Sequence, residues 1–163
     1  MVEIIIAITG HRPNKLPNYS YDLRSPKWQA LQRKYKTFFK TNNCTEVITG
    51  MALGVDQCAA LAVIELKSEG YDIKLHAAIP CRNQEKIWPK QSQELYHAIL
   101  SKADIIKIVT DSEYTPVCMQ IRNIYMVDHA DQVLAVWDGT AGGTKNCIDY
   151  AKKKQKTITI IQP

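Results

Sequence analysis

The sequence predicts an α/β fold: a single Rossmann-like domain over residues 1–163, with a mostly parallel sheet of about six strands and helices on both faces. Three observations lead there. Short apolar runs alternate with stretches of helical periodicity. The runs are apolar throughout instead of at every second position, as strands of a sheet covered on both faces must be. The glycine-rich segments fall directly after the runs, where open α/β sheets bind ligands.

Val2 to Thr9 is β-branched and ends at Gly10, which predicts a buried strand and a turn. Ser25-Pro26 then supplies a helix cap and a first-turn proline, and Trp28, Leu31, Tyr35, Phe38 and Phe39 form one apolar stripe over 26–41. Thr45 to Thr49 is the second strand. Val55, Ala59, Ala62, Val63 and Leu66 mark a helix closed near Gly70, and Ile73 to Ile79 is the third strand. A helix over 89–102, a strand over Ile105 to Val109, a helix over 117–129 and a strand over Val133 to Trp137 follow. Glycines 139, 142 and 143 turn the chain into a helix over 144–154, and Thr157 to Ile161 closes the sheet.

Composition narrows the function classes. A chain of 163 residues with 45% hydrophobic and 23% charged residues fits one globular core. No apolar run approaches the roughly 20 residues that cross a bilayer, and Met1 leads into a strand without signal-peptide character, so no membrane partner and a cytoplasmic location are expected. The cysteines at 44, 58, 81, 118 and 147 and the histidines at 11, 76, 97 and 129 show no metal-ligand spacing; reduced thiols, no metal and no cofactor are expected. The net charge of +5 is concentrated at the amino end, where residues 1–42 hold eight Lys or Arg against two acids. Such a run suits phosphate or nucleic acid, or forms a solvated helix face.

Four segments that follow strands carry the candidate chemistry: Thr9 to Pro13, Thr49 to Asp56, Ile79 to Gln84 and Trp137 to Thr144. Two run into helices, where glycines permit close backbone approach and free amides suit a phosphate. The candidate ligand residues are Gly10, His11, Arg12, Gly50, Met51, Gly54, Asp56, Arg82, Trp88, Met119, Arg122, Asn123, Asp138, Gly139, Gly142, Gly143 and Thr144. Several have a structural alternative: Arg122, between Met119 and Met126 on one helix face, is a ligand group or a snorkelling stem. Thr144 contacts phosphate or caps its helix; Asp56 holds a ligand hydroxyl or interacts with a helix dipole. Trp88 stacks on a base or packs in the core, and Arg12 and Arg82 are phosphate forks or surface charges. Asp138 accepts from ribose hydroxyls or ends a strand.

The succession T-G-H-R-P, T-G-M-A-L-G-V-D-x-x-A-A, A-I-P-C-x-x-Q, M-x-x-R-N-x-x-M-V-D-x-A-D and W-D-G-x-x-G-G-T, from residue 8 to about 151, resembles the stand-alone YpsA-like branch of the SLOG superfamily. That superfamily includes LOG-type phosphoribohydrolases, the DNA-processing protein DprA and sensors of cyclic ADP-ribose-like signals. The resemblance implies a nucleotide pocket, and Met119-Gln120-Ile121-Arg122-Asn123 matches the M-x-x-R-K helix whose arginine serves LOG catalysis. The LOG loop P-G-G-x-G-T-x-x-E departs here to D-G-T-A-G-G-T-K-N-C, which puts Cys147 at the position of the essential glutamate. A thiol does not take over the charge stabilisation and proton handling of a carboxylate.

The leading expectation is therefore a sensor or sequestering protein for a nucleotide or ADP-ribose-type second messenger, host- or phage-encoded, in phage defence or counter-defence. The alternative is an N-glycosidic phosphoribohydrolase using Arg122 with Glu85 or Asp56 as the acid. DprA-like single-stranded DNA binding ranks third, and a homodimer or larger homo-oligomer is implied by the resemblance.

Overall fold

The computed structural model describes residues 2–163. Strands β1 (Ile5–Gly10), β2 (Glu46–Thr49), β3 (Lys74–Ile79), β4 (Ile105–Ile108), β5 (Gln132–Val136) and β6 (Thr157–Ile161) alternate with helices α1 (Pro26–Thr41), α2 (Val55–Ser68), α3 (Lys90–Leu100), α4 (Cys118–His129) and α5 (Gly143–Lys153). A 3-10 turn over Pro13–Lys15 interrupts the first loop. The boundaries agree with the periodicity to within about three residues. Among the described residues, no helix is long and apolar enough to cross a membrane.

All neighbouring strands pair in parallel, in the order β4-β3-β2-β1-β5-β6. The chain steps outward from β1 to β4 and then returns to the other side of β1 to lay down β5. That reversal opens a crevice at the carboxyl ends of β1 and β5, the place where doubly wound sheets take ligands. The β1–β5 register pairs Ala7 with Val133 and Gly10 with Val136, so the two strands end level.

Side chains alternate between two unequal cores. Ile6 and Ile8 face α1, α2 and α3 and join Trp28, Leu31, Tyr35 and Phe39 of the stripe foreseen on α1. Tyr35 and Phe39 stack with ring centroids 5.8 Å apart, and the Trp28 indole donates to the Ser20 carbonyl at 2.7 Å. Ala7, Ala78, Ala130, Cys147 and Ala151 lie on the opposite face with Ile48, Met126 and Val133. These small residues let α4 and α5 approach the sheet closely, which draws their amino-terminal ends over the crevice. Close approach also governs the first turn: a Cβ on Gly10 would lie 2.5 Å from Val55 Cγ1.

Two local readings need correction. Ser25 occupies the cap position of α1 and its carbonyl accepts the first helical bond from the Gln29 amide, but its hydroxyl makes no cap bond. The β4 strand is not covered on both faces: all four of its residues are exposed. It forms the sheet edge, and α4 lies over β3 and β1 instead of reaching outward to it.

Gly10→Ala is expected to destabilise the protein by about 1–3 kcal/mol through overpacking, and a second change, Val55→Ala, to recover part of that loss. Urea unfolding of the two single variants and the double variant measures the coupling.

Candidate functional site

The crevice is closed at one end by a polar clasp. His11 follows β1 and Asp138 follows β5, and His11 Nε2 lies 2.9 Å from Asp138 Oδ1. The same carboxylate oxygen accepts from the Thr140 hydroxyl at 2.6 Å and the Thr140 amide at 3.0 Å. Thr140's hydroxyl, then its amide, then His11 hold the Asp138 carboxyl down at about 2. Asp138 is thus ionised at neutral pH and engaged by three donors, which fixes the loop leading to α5.

Beyond the clasp lies a cavity of about 350 Å³, within the range of small-ligand sites. The β1 loop contributes Gly10, His11, Arg12, Asn14 and Lys15; α4 contributes Met119, Arg122 and Asn123; α5 contributes Gly143 and Thr144. Ala52, Asp56 and Tyr114 complete the walls.

The amino terminus of α5 is built for an anion. Its cap position is Gly142, with φ +144° and no side-chain cap bond, and its first turn holds no acid. A Cβ on Gly143 would meet nothing within 4 Å, so the space in front of these amides is open. A Cβ on Gly142 would lie 3.4 Å from Lys15 Nζ, which places an ammonium beside the same amides. Helix amides and a lysine together favour phosphate. Thr144 sits one residue inside the helix, buried against the cavity, and makes no cap bond.

Arg122 is the central cation. Its Nη1 donates to the Gly50 carbonyl at 2.8 Å, its Nε donates to Asn123 Oδ1 at 3.1 Å, and Met119 Sδ lies 3.8 Å from Nη2. Gly50 is required by this contact, since a Cβ there would come within 1.9 Å of Nη1. Two of the five guanidinium donors are engaged by oxygen, which leaves donors for a ligand. Burial lowers the Arg122 pKa from its ordinary value, against the opposing attraction of Asp56.

Asp56 is the buried acid of the cavity. Burial raises its carboxyl above the usual range, while Arg122, the Ala52 amide (donating at 3.2 Å) and Arg12 pull it down. Asp56 and Arg122 feel each other's charge without forming a direct ion pair. Cys147, at the position of the LOG glutamate, is buried in the small-residue core, and burial pushes its thiol up to about 11. It is a neutral thiol at pH 7.

Of the candidates read from the sequence, the cavity brings together Gly10, His11, Arg12, Asp56, Met119, Arg122, Asn123, Gly143 and Thr144. Others stand behind or away from it. Gly50 supports Arg122, and Met51 is buried in the adjoining turn with φ +60°. Gly54 takes φ +87°, and a Cβ there would press on Pro13 and Trp28 at 2.9 Å. Asp138, Gly139 and Gly142 shape the loop before α5. Arg82 is exposed and paired with Asp111. Glu85 lies 3.6 Å from His97. Trp88 is buried edge-on against Tyr96, with centroids 5.3 Å apart.

Sequence reasoning missed Asn14, Lys15 and Tyr114. Lys15 lies two residues past the H-R-P segment, where the 3-10 turn folds it back, and Tyr114 lies in the loop after β4. The rule that loops following strands hold ligands could have flagged both, had it been applied to β4 and beyond Pro13.

A larger cleft of about 830 Å³ lies between α1, α2 and α3. Several of its charges are already matched locally, Arg24 by Asp22 and Glu65 by Lys36; the first turn of α3 lines it at Pro89, Gln91 and Ser92, but its two arginines, Arg24 and Arg33, are exposed, unlike the buried Arg122 of the smaller cavity. The smaller cavity is the chemically equipped one.

Comparison with known proteins places this geometry in a family. A UPF0398 protein of Bacillus cereus (strain B4264) is 34% identical over 154 residues, 92% of this chain and 83% of that one. The SPbeta prophage-derived protein YoqJ of Bacillus subtilis (strain 168) is 40% identical over 117 residues, 65% of this chain and 68% of that one. DNA processing protein A from Helicobacter pylori, described with a single-stranded DNA binding mode, superposes with a TM-score of 0.69 at 19% identity. The superposition covers 98% of this chain and 66% of that one, and at this identity it shows a shared fold. The YpsA family model, described as the YspA SLOG family, matches residues 6–163, and the chain belongs to that family.

Proposed function

We propose that this protein binds a nucleotide or nucleotide-derived, ADP-ribose-type ligand in the 350 Å³ cavity, as a sensor or sequestering protein. The observation that carries the reading is the open amino terminus of α5, where Gly143 faces free space beside Lys15 Nζ. Arg122 and Arg12 extend the positive field along the cavity, and Asn123 and Asp56 offer groups for ribose hydroxyls. Tyr114 is 64% exposed at the rim and presents an aromatic face to a base. A role in phage defence or counter-defence is part of this proposal and rests on the resemblance to sensors of nucleotide-derived signals alone.

Binding without turnover is favoured by Cys147, a neutral buried thiol where a hydrolase of this type needs a carboxylate. The second reading, glycosidic hydrolysis, rests on Asp56, whose burial favours the protonated form that a general acid requires. Calorimetry with nucleoside monophosphates and ADP-ribose, followed by chromatography of the mixtures, separates these readings. Saturable binding with unchanged ligand supports the proposal. Free base released over many turnovers assigns an enzyme, and absence of binding by any phosphate-bearing compound overturns both.

Arg122→Ala is expected to weaken a phosphate-bearing ligand by about 1.5–3 kcal/mol, the scale of a charge-assisted hydrogen bond, whereas Cys147→Ala leaves affinity nearly unchanged. Gly143→Val, whose side chain enters open space, should fold normally and lose binding; calorimetry and circular dichroism on the three variants check this.

Tyr114→Ala should cost a base-bearing ligand about 1–3 kcal/mol, as a lost stacking contact does, and leave ribose 5-phosphate affinity unchanged. Equal losses for the two compounds would move Tyr114 off the base.

Asp56 gives a pH signature. Its folded pKa lies above the unfolded value, so the folded state takes up the proton more readily and gains stability as pH falls from neutral through the raised pKa. Melting temperatures of the wild type should therefore rise relative to Asp56→Asn as pH falls from neutral towards the ordinary carboxylate value of about 3.9. A parallel course of the two curves would show that Asp56 carries no such burden.

A further inference from the structure

We infer that the 830 Å³ cleft between α1, α2 and α3 is a second binding site, which takes the free carboxyl terminus of a partner chain that ends in an apolar residue.

The anchor is the start of α3. This helix runs 11 residues from Lys90; its cap position is Pro89, no side chain caps it, and its first turn holds no acid. The amides of Lys90, Gln91 and Ser92 therefore have no acceptor within the helix. Ser92 sets this helix start apart from an ordinary one. It is only 8% exposed and lines the cleft, yet among the described residues its hydroxyl makes no hydrogen bond. Ser68 and Ser101, by contrast, each donate at 2.6 Å to the carbonyl three residues before them. A buried hydroxyl beside open helix amides is a ready partner for an anionic oxygen.

Charge selects the kind of anion. Two arginines line the cleft, Arg24 and Arg33, against three carboxylates, Asp22, Glu65 and Glu94. Each carboxylate has its own cation: Arg24 at 3.0 Å, Lys36 at 2.7 Å and Lys90 at 4.0 Å. Without a buried cation of the Arg122 kind, the cleft does not suit a phosphate dianion. A carboxylate carries a single charge and suits a helix dipole assisted by one hydroxyl.

The walls select the body of the ligand. Leu95 follows Ser92 by three residues on the same helix face, and Leu61 of α2 and Leu23 line the same cleft, so an apolar side chain next to the carboxylate has apolar neighbours. On the α1 wall the Gln29 and Gln32 amide nitrogens are engaged, by the Arg24 carbonyl at 3.1 Å and by Glu65 at 2.6 Å. Their amide oxygens remain as acceptors for peptide N–H groups. Arg33, which makes no ion pair among the described residues, offers donors to peptide carbonyls. Acceptors and donors together match a peptide, whereas a plain aliphatic acid would leave them unmet.

Two-dimensional ¹H–¹⁵N NMR of the full chain, titrated with N-acetyl-Gly-Ala-Leu to about 5 mM, reaches the millimolar affinities of short ligands. The free acid should shift the Gln91 and Ser92 amides saturably and leave those of Gly143 and Thr144 in place. The same peptide with an amidated carboxyl terminus should bind at least ~10-fold more weakly, because helix amides favour the anion. Ser92→Ala should weaken the acid about 3–10-fold and the amidated peptide less. Arg33→Gln should weaken the two peptides alike, since it meets carbonyls and not the carboxylate. Equal affinity for acid and amide overturns the inference, as does the absence of saturable shifts at about 5 mM. Octanoate binding as tightly as the peptide acid overturns the assignment to a peptide.

Discussion

A buried guanidinium without a carboxylate in direct contact organises the ligand end of the sheet. Arg122 reaches from α4 to the Gly50 carbonyl at the end of β2, 2.8 Å away. A buried charge of this kind persists only where hydrogen bonds replace its water. The surrounding sequence follows from that need: glycine at 50, because any side chain would strike the guanidinium; asparagine at 123, whose amide oxygen accepts from Nε; methionine at 119, whose soft sulfur lies along the group. The α4 helix is thereby tied to β2 over the small residues of the sheet face, and the cavity takes its shape from the tie.

Much of this was readable before any coordinates. Runs such as Ile4 to Ile8 and Val133 to Trp137 are apolar on both faces, as a doubly covered parallel strand is, and the order of strands and helices followed. The loops at Gly10, Gly50 and Gly142-Gly143 announced close backbone approach; Gly10 and Gly50 show it, Gly142 has Lys15 Nζ nearby, and Gly143 is open. What the approach serves was not readable. Gly54 and Gly10 accommodate Pro13, Trp28 and Val55, Gly50 accommodates Arg122, and Gly143 faces open space in the cavity. A glycine records that something is near; the three-dimensional neighbour decides what it is.

Trp88 and Tyr114 carry the same lesson for aromatics. Both lie in loops after strands, and the larger ring was the more natural candidate for a base. Trp88 instead packs edge-on against Tyr96 beneath α3, while Tyr114 stands at the cavity rim. The exposed β4 edge was hidden for a related reason: an apolar strand at the end of a sheet reads the same as one in the middle, because sequence order does not state spatial order.

The pairing of β1 with β5 ties the site to the late part of the chain. The Ile5 amide donates to Asp131, 126 residues away, and β1 has no neighbour on that side until β5 exists. At a synthesis rate of about 5–20 residues per second, that wait lasts roughly 6–25 s. During it β1 can pair with β2, but the crevice has one wall, His11 has no Asp138, and the α5 amides beside Lys15 have yet to be made. A nascent chain therefore lacks the complete cavity, so a ligand of the proposed site would meet finished molecules alone. A chain broken before residue 132 would keep its glycine loops at 10 and 50 and lack the β5 wall and the α5 amides of the cavity.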